Sequence, residues 1–303
     1  MKTATFKGYL LALVATIAFS NVYIFSKAAL NEVHLTQFGI YWCGFGMLFS
    51  FLFALKNKKL GQLKVLSKKQ RRILLLLGIL EILTTTSFFI SINVIPDPSI
   101  TSFIGNLFPV MVTLGGIVLL KEKFGWVEVV GASLALIGTF IISYTGGTSL
   151  RTLFIAGTGI VVINALFATT ATLIVKVHVK NISPELFNLN RYTWLFTFSL
   201  IAFFIYSPEA AIPSRVFANI SIGAFLEFIA ILTVYYSYQF IDASRSAVVQ
   251  TLKGIFVLIG AYLVFHTFPV FHQFVGGMVT VVGVLIMTLA QAGIFRSKTR
   301  LSN

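Results

Sequence analysis

Three ionisable residues lie near the middle of long apolar segments of the sequence, where charged side chains are rare. Glu81, Glu227 and Lys253 each stand well inside such a segment. An ionisable residue in a membrane-spanning segment is costly, and it usually faces a cavity or a partner of opposite charge. We therefore expect these three side chains to form a site that binds a polar solute or a coupling proton.

Arg191 is a fourth ionisable residue in an apolar segment, but it lies nearer the segment's start. A long basic side chain can reach the membrane surface from that depth. We therefore expect its guanidinium to snorkel to the surface, while it stays a candidate cation for the site. The sequence leaves open whether Glu81 and Glu227 bind a ligand or pair permanently with Arg191 or Lys253.

Further polar side chains in the apolar segments are candidate cavity walls, although such residues also hold helices together. They are Asn21, Asn106, Asn164, Gln250 and Tyr235. There is one cysteine, and the four histidines form no pair at helical spacing. The sequence also has no phosphate-binding loop. We predict no catalytic residue, no metal site and no cofactor.

The segments that carry these residues are long enough to cross a bilayer as helices. The chain has 303 residues, of which 57% are hydrophobic and 11% charged, whereas a soluble protein has about 25% charged residues. A transmembrane helix needs about 20 mostly apolar residues. The sequence predicts an all-α membrane protein with ten such helices, near residues 6–26, 36–55, 73–95, 98–120, 124–144, 153–175, 186–206, 217–240, 246–266 and 269–293.

The basic residues are concentrated on one side of this arrangement. If the N-terminus is inside, 18 of the 23 Lys and Arg residues fall in inner segments and three in outer ones. This bias predicts that both termini are cytoplasmic. It also explains the net charge of +14 without a nucleic-acid partner. We expect a multi-pass protein of a plasma membrane or a bacterial inner membrane.

The two halves of the chain resemble each other. Glu81 corresponds to Glu227 at an offset of 146, and Lys27 corresponds to Lys176 at an offset of 149. The two lysines are expected to be anchors at the membrane interface. Because each half holds five predicted spans, an odd number, the halves should have inverted topology. Inverted repeats are typical of carriers that work by alternating access around a site near the midplane.

The residues from Leu119 to Ile142, LLKEKFGWVEVVGASLALIGTFII, resemble the end of an EamA domain of the drug/metabolite transporter superfamily. The matching features are Glu122 followed by Gly131 and Gly138, with Asn106-Leu-Phe-Pro109 upstream. The resemblance implies two five-helix repeats, which we assign to residues 1–149 and 150–303. The second copy departs from the pattern, with Thr267 in place of Glu122 and Lys253 in place of Phe108.

The resemblance implies a secondary transporter that exports or exchanges a small metabolite, such as an amino acid, across the lipid bilayer. One alternative is an exchanger of organic anions or nucleotide sugars, in which Lys253 and Arg191 hold the anion. Alternatives of another class are a membrane enzyme, a lipid-handling protein and a non-transporting sensor or assembly subunit. The sequence contains no interfacial cluster of catalytic residues that an enzyme would need.

Overall fold

A computed structural model describes residues 3–94, 105, 107–143, 157–206, 211–256, 259 and 271–291. These residues form helices and no strand. The helices are α1 (Thr3–Leu30), α2 (Leu35–Lys56), α3 (Gln62–Val65), α4 (Lys68–Val94), α5 (Leu107–Leu119), α6 (Trp126–Ser143), α7 (Thr158–His178), α8 (Pro184–Tyr206), α9 (Ser214–Ser237), α10 (Ala243–Gln250) and α11 (Phe271–Gln291).

The helices have the length and composition of membrane spans. Six of those described are long and apolar enough to cross a bilayer, and α5 and α6 are shorter apolar helices. Each of the ten predicted segments overlaps a described helix. The all-helical, multi-pass class is therefore confirmed, while the count of ten spans stays a prediction. The boundary between residues 149 and 150 lies outside the described residues.

The ninth predicted span, 246–266, is not a single continuous helix. It begins earlier, as α10 at Ala243, and is interrupted by a turn at Thr251 and Leu252 before a short helical stretch at 253–256. The backbone N–H groups of Thr251 and Leu252 bond three residues back, to Val248 and Val249. Such tight turns have poorer hydrogen-bond geometry than a regular α-helix. Hydroxyl groups of neighbouring helices donate to the carbonyls at the break. Thr139 donates to Thr251, and Ser20 donates to Lys253.

The last helices of the two halves, α6 and α11, pack backbone to backbone. A Cβ on Gly131 would lie 2.5 Å from the nitrogen of Met287, and one on Gly138 would lie 2.5 Å from that of Thr280. The residue numbers rise along one helix as they fall along the other, so the helices run antiparallel. Corresponding helices of an inverted repeat have this relation.

A pair of lysine contacts repeats in the two halves. Lys27 at the end of α1 donates to the carbonyl of Ile92 near the end of α4, at 2.9 Å. Lys176 near the end of α7 donates to the carbonyl of Tyr238 just after α9, also at 2.9 Å. A cation stabilises the unpaired carbonyls at a helix C-terminus. Both lysines, expected from sequence to be interface anchors, therefore cap the third long helix of their own repeat.

Two apolar clusters occupy the two ends of the bundle. One is built around Trp42, Phe38 and Tyr192, and the other around Leu186 and Tyr238. The middle of α4 and α9 lies between these clusters. Glu81 and Glu227 stand at that level, since each follows residues of one cluster and precedes residues of the other.

Candidate functional site

The site is built around one arginine that pairs with two glutamates. The guanidinium of Arg191 on α8 pairs with Glu81 on α4 through one nitrogen, and with Glu227 on α9 through another at 2.9 Å. The second nitrogen also donates to the hydroxyl of Thr85 at 3.0 Å. All three charged residues are buried, at 5–6% exposure. Three helices from both halves of the chain therefore meet at one cation.

Arg191 does not snorkel to the membrane surface, so that expectation from the sequence is wrong. The physical reason is that its buried partners stabilise the guanidinium more than contact with water at the membrane surface would. An unpaired charge inside a protein costs several kcal/mol, and here two carboxylates and one hydroxyl bind the guanidinium. The question of pairing that the sequence left open is also answered, because both glutamates contact Arg191 rather than Lys253.

Neutral donors complete the hydrogen bonding of the two carboxylates. The indole nitrogen of Trp42 on α2 donates to Glu227. The hydroxyl of Tyr235 on α9 donates to Glu81 at 3.0 Å. Among the described residues, each of the four carboxylate oxygens thus has one donor. A carboxylate oxygen can accept a second hydrogen bond, so the cluster can still bind a ligand's donor.

Trp42 was not among the residues predicted for the site, although the sequence contained the signal. Its counterpart at an offset of 149 is Arg191, the same offset that relates Lys27 to Lys176. Each residue of the pair donates to the glutamate of the other repeat. The cluster is therefore nearly two-fold symmetric, with a neutral indole on one side and a cation on the other.

Lys253 stands apart from this cluster. It follows the break after α10, and its ammonium lies 3.2 Å from the hydroxyl of Tyr23 and 4.9 Å from the centre of that ring. No carboxylate of the described residues pairs with it. Tyr23 was also missed, because an aromatic residue in a span carries no distinguishing sequence signal.

One cavity of about 180 Å³ joins the cluster and Lys253. The two glutamates and Arg191 contribute a net charge of −1, and Lys253 contributes +1. Seven of the nine predicted site residues line this cavity: Glu81, Glu227, Arg191, Lys253, Asn164, Gln250 and Tyr235. Aromatic walls come from Phe19, Tyr23, Phe88, Phe108 and Tyr238. The cavity thus combines both signs of charge with apolar surface.

Of the three asparagines predicted for the site, one lines the cavity, one does not, and one lies outside the described residues. Asn164 lines the cavity while its amide donates to the carbonyl of Thr84 at 2.6 Å. Asn21 does not line it, and donates to the carbonyl of Ile17 one turn earlier in its own helix. Asn106 lies outside the described residues. Within those residues, no group of three or more His, Cys, Asp or Glu side chains could hold a metal ion.

Comparisons with known proteins agree with this architecture. Residues 6–144 and 155–289 each match the EamA-like transporter family. A crystal structure described only as "Crystal structure of protein" superimposes with a TM-score of 0.78 at 14% identity, over 95% of this chain and 98% of that one. At that identity the likeness concerns the fold alone. No curated protein sequence matches the chain.

Proposed function

Since the chain belongs to the EamA-like transporter family, we propose that it is a secondary transporter of a small metabolite that works by alternating access. The coarse assignment rests on the family, whose members are transporters rather than enzymes. The substrate class that we propose is an amino acid or a related solute. Glu81, Glu227, Arg191 and Lys253 are its proposed binding site, and export or exchange is the proposed activity.

The observation that carries this proposal is the separation of charge in the cavity. Lys253 is a cation without a carboxylate partner among the described residues, while the cluster around Arg191 has one negative charge in excess. A solute with a carboxylate and an ammonium group complements both. Its carboxylate would bind Lys253 and Tyr23, and its ammonium would bind the free lone pairs of Glu81 or Glu227.

The size of the cavity supports a small solute. Its volume of about 180 Å³ lies below the roughly 300–1,000 Å³ of pockets for drug-sized ligands. A nucleotide sugar would need a larger site. The pairing of Arg191 with two glutamates also argues against the anion exchanger, because it leaves Lys253 as the cation available to a ligand among the described lining residues.

A coupling proton fits the same cluster. Two carboxylates share one guanidinium, so one of them can take up a proton without leaving Arg191 unpaired. Protonation of either glutamate would neutralise the cluster and weaken its attraction for an ammonium group. Exchange of a proton for a cationic group at Glu81 or Glu227 is therefore part of the proposal.

Counterflow in proteoliposomes tests the proposal, with amino acids, organic anions and nucleotide sugars as solutes. We expect saturable exchange of one or more amino acids, and at least a tenfold loss of exchange in Lys253→Met. The matched control is Lys7→Met, because Lys7 also lies over an aromatic ring, 5.1 Å from the centre of Phe240, but does not line the cavity.

The panel separates the alternatives. Exchange restricted to anions, abolished by Lys253→Glu, would replace the amino-acid proposal with the anion exchanger. Amino-acid exchange that is unchanged in Lys253→Met and in Glu227→Gln would refute the proposed site. No exchange of any solute would refute the proposed substrate class.

A further inference from the structure

A second cluster of charged side chains lies at the end of the bundle where α1 begins. We call this end the basic face, because Lys7 and Lys176 also lie there, against Phe240 and Ile241. There Glu122, in the segment between α5 and α6, binds the N-terminus of α10. Its carboxylate accepts the backbone N–H of Ala243 at 3.0 Å and that of Ser244 at 3.2 Å, together with the hydroxyl of Ser244. A negative charge at a helix N-terminus satisfies unpaired N–H groups and complements the helix dipole.

Arg245, in the first turn of α10, makes a second set of contacts. It donates to one oxygen of Glu128 on α6 through two nitrogens, at 3.0 and 2.8 Å, and to the carbonyl of Lys123 at 2.8 Å. It also pairs with Asp242 and lies over the ring of Phe124. Arg245 and Glu128 are buried, at 5% and 7% exposure.

These contacts join the two halves of the chain. Glu122 and Glu128 belong to the first repeat, and α10 belongs to the second. We call the set of Glu122, Glu128 and Arg245 the α10 lock. Gly116 on α5 lies against it, and a Cβ at that position would clash with the side chains of Ser244 and Glu122.

The three lock residues have no charged counterparts at the corresponding positions of the sequence repeat. At an offset of 145, which relates Gly131 to Gly276, the positions of Glu122, Glu128 and Arg245 correspond to Thr267, Gln273 and Ile100. An inverted repeat places such counterparts at opposite faces. The charges that join the halves at the basic face are therefore replaced by uncharged residues in the other copy.

The lock is connected to the cavity through α10 itself. The helix has eight residues, about 12 Å at 1.5 Å per residue. Gln250 ends it, and Lys253 follows the break; both line the cavity. A movement of α10 that releases Glu122 would therefore also displace Gln250 and Lys253.

We propose that the α10 lock is the gate that keeps the cavity closed at the basic face, and that its release opens the cavity to that side. The lock favours the conformation closed at the basic face, because the positions that correspond to it in the sequence of the other copy hold uncharged residues. This inference rests on the proposed function, of which it names a conformational control.

Labelling of a cavity cysteine tests the gate without any substrate. In a Cys43→Ala background, Ala168→Cys provides a thiol on the cavity wall. A membrane-impermeant methanethiosulfonate is added to vesicles that expose the basic face. We expect Glu122→Gln combined with Glu128→Gln to raise the labelling rate at least fivefold, and to lower labelling from the opposite face.

Gly116→Ala gives a second test that keeps every charge. Its new methyl group would displace the side chains of Ser244 and Glu122 and so weaken their contact. This variant should also raise the rate of labelling from the basic face. The control for the glutamates is Glu185→Gln, a buried carboxylate that binds Tyr236 within the second repeat. The control for the glycine is Gly159→Ala, which has no neighbouring heavy atom within 4 Å.

Unchanged labelling in both the glutamate variant and Gly116→Ala would overturn the proposal. The result is independent of transport, because the assay needs no solute. Increased labelling together with absent counterflow would support the gate and refute the substrate assignment. Unchanged labelling together with amino-acid counterflow would refute the gate alone.

Discussion

At the residue scale, the central arginine makes the buried cluster sensitive to the loss of one partner. Arg191→Met leaves Glu81 and Glu227 as like charges without their cation. We expect a loss of about 3–5 kcal/mol of stability, the cost of breaking a buried ion pair. Thermal unfolding in detergent measures it, with Arg215→Met as the control, since Arg215 is exposed.

A companion variant distinguishes electrostatics from packing. Replacing Arg191 by Met together with Glu81 and Glu227 by Gln removes the three charges at once. Because replacement of a whole buried charge cluster is often tolerated, this variant should be more stable than Arg191→Met alone. Equal destabilisation of the two would contradict the electrostatic explanation and indicate lost packing.

Trp42 provides a finer test of the same cluster. Trp42→Phe keeps an aromatic ring but removes the N–H that Glu227 accepts. An oxygen left without its donor costs about 1–3 kcal/mol, so the melting temperature should fall. Trp126→Phe is the control, because Trp126 is 80% exposed. An equal fall in melting temperature in both variants would show that the loss of the indole hydrogen bond does not cause the destabilisation.

At the element scale, the contact between α6 and α11 depends on glycine. The Cβ of Gly131→Ala would lie within 2.7 Å of backbone atoms of Met287 and Gly283, which cannot move independently of their helix. Overpacking of this kind costs about 1–3 kcal/mol. We expect lower thermal stability than in Gly159→Ala, where the methyl group meets open space. A neutral effect of Gly131→Ala would mean that the helices can separate without penalty.

At the scale of the whole molecule, the distribution of basic residues predicts the orientation. Protease-sensitive tags at the N-terminus and the C-terminus should both be cleaved in inside-out vesicles and protected in right-side-out vesicles. A tag inserted after Ser149 should behave in the opposite way, since it stands between the two repeats. Tags at the two termini that respond oppositely would contradict an even number of spans.

The family and the helical class could be predicted from the sequence because both are encoded locally. Apolar length decides that a segment spans the bilayer, and the matched positions of Glu81 and Glu227 identify the repeat. The same local signals selected seven residues that line one cavity. The interruption after Gln250 was not predictable in this way, because the two residues at the turn, Thr251 and Leu252, are neither proline nor glycine.

The sequence by itself determined which residues are exceptional for a membrane, namely the ionisable residues inside apolar segments. It also determined the repeat and the concentration of basic residues in the predicted inner segments. Only the tertiary structure decided which of them meet. Arg191 pairs with the two glutamates rather than reaching the surface, and Glu122 binds the N-terminus of α10 in the other repeat. The contacts of Arg191 with Glu81 and of Glu122 with α10 join residues more than a hundred positions apart, and that of Arg191 with Glu227 joins residues 36 apart. All of them depend on how each helix is rotated against the others. That rotation is set by packing over the whole bundle, which no single segment encodes.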